Sequence, residues 1–187
     1  MKLVVGLGNP GGAYSDTYHN VGFIALDLLA ARFRVPSFDF DKKSNSDTVS
    51  ISTRGQSVLL CKPCTFMNLS GDAVSKLARY YKLAPEDILV VYDDVDIEKG
   101  SVRARLSGSA GTHNGMRDIV SKLGSEAFAR VRIGTGFKPP YMGLADYVLS
   151  HMGEHMPLIE KACSAACDMV AAWIYGEQWS SLTVSVK

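Results

Sequence analysis

The chain lacks any segment that reads as a membrane span or an export leader. Its longest apolar runs fall far short of the ~18 residues that cross a bilayer. Its start, Met1-Lys2-Leu3-Val4-Val5-Gly6, has no charged region followed by a long apolar stretch and a cleavage site. A soluble, cytoplasmic protein without a membrane partner is expected. Charge of one sign is equally scarce. A net charge of +1 over 187 residues excludes a strong global basic field. Any contact with nucleic acid must therefore come from a local patch. No internal repeat or low-complexity tract is present, and the length fits one domain over residues 1–187 with a single sizeable core. Hydrophobic residues make up 47% and charged residues 21%, which is ordinary for a globular chain.

Cysteine is also sparse, with Cys61, Cys64, Cys163 and Cys167. The first pair has C-x2-C spacing and the second lies one helical turn apart, so a zinc site is conceivable. Cys61, however, ends an apolar strand, and Cys163 and Cys167 lie on a small-residue helix. Free cysteine packs in such places as a compact hydrophobe. No metal is expected.

Two short continuous apolar runs, Leu3 to Leu7 and Ile88 to Tyr92, read as strands buried on both faces. Val49 to Ser52 and Val58 to Cys61 flank Gly55 and suggest a hairpin. Val102 to Leu106 and Ala129 to Ile133 are further strands. Helical spacing marks Val21 to Leu28, with Asn20 as a possible cap. It also marks Ala73 to Tyr81, Met116 to Leu123, and a long segment from Leu158 to Trp173 with Pro157 in its first turn. Residues 38–47 and 134–144 read as loops. Strands alternate with helices, which predicts an α/β sandwich: a mixed, partly parallel central sheet flanked by helices. The Val102 strand follows its predecessor too closely for a helical crossover, so part of the sheet should be antiparallel.

Sites in such sheets form beyond the carboxyl ends of buried strands. One run ends at Gly8-Asn9-Pro10, the other at Asp93-Asp94. Asn68 and Asn114 sit where two helices begin, and His19 stands just before the first helix. Each asparagine alone is an ordinary cap, but so many together are less usual. His19 becomes a candidate base only if a carboxylate orients it. Asp93, Asp94 and Asp96 are all available. His113 lies among glycines and could brace its loop. His151 and His155 are four apart but lack the glutamate of H-E-x-x-H. Gly6-Leu7-Gly8-Asn9-Pro10-Gly11 matches G-x-G-x-x-G literally. That fingerprint requires a helix to open at the glycines, yet helical periodicity starts only near Val21. A dinucleotide site is therefore not expected. Arg103, Arg105, Arg117, Lys122, Arg130 and Arg132 cluster in sequence, and the alternating arginines of each strand share a face.

Taken in order, the segments resemble the bacterial-type peptidyl-tRNA hydrolases over nearly the whole chain. The resemblance rests on Gly6-Leu7-Gly8-Asn9-Pro10-Gly11, Tyr14, Thr17-x-His19-Asn20-x-Gly22 and Lys62-Pro63-x-Thr65-Phe66-Met67-Asn68-Leu69-Ser70-Gly71. It continues through Asp93-x-x-Asp96, Gly108-Ser109-Ala110-Gly111-x-His113-Asn114-Gly115 and Arg132-Ile133-Gly134. It implies a monomeric hydrolase, free of cofactor and of any obligate protein partner. Such an enzyme cuts the ester between peptide and tRNA and so recycles the tRNA. By the same resemblance His19 is the base that activates water, Asp93 holds its imidazole, and Asn9 senses the blocked aminoacyl group. Tyr14, Phe66, Asn68 and Asn114 bind the peptide and the tRNA 3′ end, while Arg105 and Arg132 meet the 5′ phosphate. A related plant branch serves in splicing instead, so an RNA-binding protein on the same fold is the rival reading. The sequence departs from the family pattern at Tyr18, where arginine is usual, at Thr112 in place of glycine, and at Thr135 in an apolar slot. Its tail, Thr183-Val184-Ser185-Val186-Lys187, is less basic than many.

Overall fold

The computed structural model describes residues 1–35, 37–177 and 182–186. Eight strands form one sheet: β1 (Lys2–Gly6), β2 (Asp39–Asp41), β3 (Ser46–Thr53), β4 (Gln56–Pro63), β5 (Ile88–Asp94), β6 (Ser101–Arg105), β7 (Ala129–Gly134) and β8 (Thr183–Ser185). Their order across the sheet is β2-β3-β4-β1-β5-β7-β6-β8. The four central strands β4, β1, β5 and β7 run parallel. Both edges are antiparallel. The mixed sheet expected from sequence is therefore present. The Val102 strand pairs antiparallel as expected, but with β7 after it rather than β5 before it.

Among the described residues five α-helices cover the sheet: α1 (Val21–Arg32), α2 (Ser70–Tyr81), α3 (Asn114–Leu123), α4 (Leu144–Val148) and α5 (Met156–Ile174). The two-residue period of the strands sorts their side chains between two cores. Val4, Leu60, Leu89, Val91, Val131 and Ile133 face α1 and α5. Leu3, Val5, Leu7, Leu59, Val90 and Tyr92 face α2 and α3. This is why the central strands read as unbroken apolar runs. Cys163 and Cys167 of α5 sit where α5 meets α1, their thiols turned to the carbonyls of Val21 and Ala25. Burial pushes the Cys163 thiol above its ordinary range and that of Cys167 up to about 11. Among the described residues no helix is long and apolar enough to cross a membrane.

Three local expectations needed correction. Residues 38–47 are not all loop, because β2 and the start of β3 pair there as a short edge ribbon. The expected 134–144 loop ends where α4 opens at Leu144. Asn20 makes no side-chain cap on α1. Instead its amide accepts from the Asn9 backbone N–H and donates to the Asn9 carbonyl, both at 2.9 Å. The chain before α1 is thereby tied to the chain leaving β1. Glycine makes that approach possible. A Cβ on Gly22 would lie 2.3 Å from the Leu7 nitrogen, and one on Gly6 would lie 2.3 Å from the Gly22 carbonyl oxygen.

Candidate active site

The parallel strands deliver three groups to one end of the sheet. β1 runs out into Leu7-Gly8-Asn9. The turn Tyr18–Asn20, a single turn of 3-10 helix, carries His19 over that end. β5 finishes with Asp93 and Asp94. Asp93 lies on the same face of β5 as Leu89 and Val91, the face that α1 covers, so it meets His19. Asp94 lies on the opposite face and pairs with Arg132 at 3.1 Å. The His19 Nδ1 and Asp93 Oδ1 are 2.9 Å apart. His19 is 9% exposed and Asp93 2%. Burial alone would drive the imidazole toward neutrality. The Asp93 charge and its hydrogen bond outweigh burial and raise the His19 pKa above 6.5. Burial acts oppositely on Asp93 and pushes its carboxyl upward, but the two histidines beside it, His19 first, hold it well below the usual range.

The second of those histidines is His113. Its Nε2 lies 2.9 Å from the same Asp93 Oδ1, and its Nδ1 accepts from the Met116 backbone N–H at 3.2 Å as the N-cap of α3. Sequence reasoning gave His113 no more than a bracing role. The signal present was its place one residue before a helix start, where an acceptor side chain is wanted. His19, Asp93 and His113 offer three ligand atoms within 4.8 Å of one another, the only such group among the described residues. The two hydrogen bonds to Asp93 satisfy these atoms without an ion.

A cavity of about 480 Å³ opens over the pair. Its wall includes His19, Asp93, His113, Asn114 and Arg132. Asn9, Tyr14, Phe66 and Asn68 are not on this wall. Asn9 Oδ1 accepts from the Met67 N–H at 2.8 Å, which fixes the amide orientation and leaves its Nδ2 as the spare donor. That bond joins the end of β1 to the turn Met67–Leu69, which carries Asn68. Asn68 and Asn114 are both exposed. Phe66 is 52% exposed and held at φ 61°, a backbone region that non-glycine residues seldom adopt. Its ring meets Tyr14 edge to face, with centroids 6.5 Å apart. α2 is fixed behind this turn by the Gly71 N–H, which donates to Asp118 of α3 at 2.7 Å.

The basic cluster is only partly what sequence suggested. Arg103 pairs with Arg132 and Arg105 with Arg130 across β6 and β7, so all four share one sheet face. Arg130, however, is 2% exposed and donates to the carbonyls of Ser109, Glu126 and Phe128. It ties the loop before α3 to β7 and is no surface cation. Arg132 is bound to Asp94, and one Arg105 nitrogen donates to the Ala104 carbonyl. Tyr18 is buried, is not part of the cavity wall, and stacks on Tyr147 of α4 with centroids 5.1 Å apart. The Tyr147 hydroxyl donates to the Thr135 carbonyl at 2.7 Å. Tyr147 thus contacts two of the three departures, Tyr18 and Thr135. The third, Thr112, is exposed.

The G-x-G-x-x-G segment leads from β1 into a 3-10 turn at Gly12–Tyr14, and α1 opens only at Val21. The helix that a pyrophosphate site needs is not there. A profile of the peptidyl-tRNA hydrolase family matches residues 3–185.

The chain belongs to the peptidyl-tRNA hydrolase family.

Among curated peptidyl-tRNA hydrolases, that of Desulfitobacterium hafniense is 44% identical over 174 residues, covering 92% of each chain. That of Geobacillus kaustophilus is 46% identical over 169 residues, covering 90% of each. The crystal structure of peptidyl-tRNA hydrolase from Acinetobacter baumannii superposes with a TM-score of 0.88 at 34% identity. The match covers 94% of this chain and 89% of that one.

Proposed function

We propose that this protein hydrolyses the ester between a peptide and the 3′ end of tRNA, with His19 as general base. The observation that carries the reading is the buried His19–Asp93 pair at 2.9 Å. Asp93 accepts a hydrogen bond from Nδ1–H, so Nε2 keeps its lone pair, and that nitrogen makes no hydrogen bond among the described residues. A water in the cavity gives its proton to Nε2 as its oxygen attacks the ester carbonyl. The tetrahedral oxyanion needs a donor. Among the described residues the side-chain amides of Asn68 and Asn114 and the Nδ2 of Asn9 make no hydrogen bond. As the intermediate collapses, the imidazolium returns the proton to the departing ribose oxygen. Peptide carboxylate and free tRNA result. A placed base contributes about 10²–10⁴-fold and an aimed amide donor about 10²–10³-fold.

In this reading Tyr14 and Phe66 form an aromatic edge for the peptide or the terminal base. Arg105 and Arg132 meet a tRNA phosphate, which requires Arg132 to be shared with Asp94. The proposal takes the chain as one monomeric domain acting in the cytoplasm without cofactor or obligate partner. Hydrolysis of N-acetylaminoacyl-tRNA by wild type, and its near loss in a folded His19→Ala variant, is the expected result. Wild-type rates in that variant would overturn the base assignment. Tight tRNA binding without cleavage by wild type would favour an RNA-binding protein on this fold.

A further inference from the structure

Asp93 Oδ1 accepts two hydrogen bonds, one from His19 Nδ1 and one from His113 Nε2, each 2.9 Å long. The His113 ring is fixed from behind by the Met116 N–H at its Nδ1. A ring nitrogen that accepts a backbone N–H carries no proton. His113 therefore turns Nε2 to Asp93 as its donor while Nδ1 faces the Met116 N–H. The rings of Tyr92, at 4.9 Å, and His19, at 5.0 Å, pack against it and hold it there. A donor on an ionised carboxylate draws charge from it and weakens what it offers a second partner.

We propose that His113 is a positioning residue that divides the charge of Asp93 between two imidazoles, keeping the proton affinity of His19 lower than Asp93 alone would set it. The proposal rests on the reading of His19 as base. A base must be neutral to work, and an undivided buried carboxylate would keep His19 protonated to higher pH. The other ionisable groups near the pair are Tyr92, Asp94 and Asp96 from the end of β5 and the turn after it, Arg132 from β7 and Arg117 from α3. Arg132 is paired with Asp94, and Arg117 Nε donates to the Gly111 carbonyl. His113 alone among them makes a hydrogen bond to the carboxylate that holds the base.

Two variants separate the helix cap from the donor. His113→Asn keeps an acceptor for the cap but is too short to replace Nε2 at Asp93. His113→Gln places an amide N–H near the lost Nε2 proton. The measurements are an NMR titration of the His19 imidazole in the whole protein and a pH–rate profile on N-acetylaminoacyl-tRNA. In His113→Asn the His19 titration should move to higher pH, and the acid limb of the rate should move with it. For every pH unit that the limb moves, the rate on the acid side falls about tenfold. In His113→Gln both should return toward wild type. The proposal is overturned if His19 titrates in His113→Asn as it does in wild type. It is also overturned if both variants lose the same rate at every pH. The titration reads the coupling without catalysis, so failure of the base assignment in His19→Ala would be distinguished from failure of this proposal.

Discussion

Replacing Asp93 by asparagine removes a charge and almost nothing else. The asparagine carbonyl can still accept the Nδ1 proton of His19 across the 2.9 Å now spanned by the carboxylate. The tautomer and the ring position should survive. What disappears is the force that opposes burial. With the Asp93 charge gone, burial dominates, and the His19 pKa falls from its raised value to below the ordinary 6.5. If His19 is the base, as proposed, neutral imidazole is the active form, and the acid limb of the rate should move to lower pH. The plateau should drop as well, because the imidazolium formed during reaction loses its counter-charge. A hydrogen bond to a charged group exceeds a neutral one by about 1–2 kcal/mol, which is roughly 5- to 30-fold in rate. Single-turnover hydrolysis of N-acetylaminoacyl-tRNA across about pH 5 to 9 reads both effects. A plateau at the wild-type level, or an acid limb that stays put or moves up, would refute the pairing. Stability gives an independent check. A raised histidine pKa adds stability below 6.5 that fades as pH rises through the folded value. A depressed carboxyl pKa adds stability above 3.8 that is lost as pH falls. The wild type should therefore exceed Asp93→Asn most between about pH 4 and 6.5 in urea melts.

Asn9→Ala strips the acceptor from the buried Met67 N–H and should cost about 1–3 kcal/mol in denaturant unfolding as well as activity; unchanged stability would contradict the bracing role. Gly22→Ala forces a methyl against the Leu7 backbone and should lower the melting temperature and disturb the His19 signal in NMR spectra; a variant indistinguishable from wild type would show that the approach can relax. Arg105→Ala and Arg132→Ala should weaken tRNA binding and flatten its salt dependence by about one phosphate contact each. An unaltered slope in either variant would remove that arginine from the phosphate contact.

The elements legible in the sequence were those with a strong period or a long apolar run. β1 and β5 are buried on both faces, so their apolar runs were unbroken, and α2, α3 and α5 each showed an apolar stripe. β2 and β8 left no such mark. Each is three residues long and mostly exposed at a sheet edge, where pairing alone defines it. Asn20 misled because an asparagine before a helix usually caps it, whereas here a partner eleven residues away claims both ends of its amide. The choice among Asp93, Asp94 and Asp96 was open to residue-level reasoning, and the resemblance settled on Asp93. Strand parity supplies the physical reason. Leu89, Val91 and Asp93 share the face that α1 covers, while Tyr92 and Asp94 turn toward the arginines of β7. That argument needed the position of α1, which periodicity does not give. His113 was hidden for the same reason, since its partner Asp93 lies twenty residues away on another element.

The buried carboxylate looks at first like a poor investment for so small a protein. Asp93 is 2% exposed, and an ionised group in that position loses its hydration. Among the described residues, its hydrogen bonds come from the imidazoles of His19 and His113. In the proposed mechanism, once His19 takes a proton from water the same carboxylate faces a cation 2.9 Å away, in a buried setting. The attraction between the two is stronger there than it would be at the surface. In that mechanism the interaction strengthens as the proton is taken up, which is the condition for lowering a barrier instead of only binding a ground state. The two apolar cores on either side of the sheet supply the stability that lets the fold keep a charge in this state. The glycines at positions 6 and 22 bring the backbones close enough for the histidine to reach it.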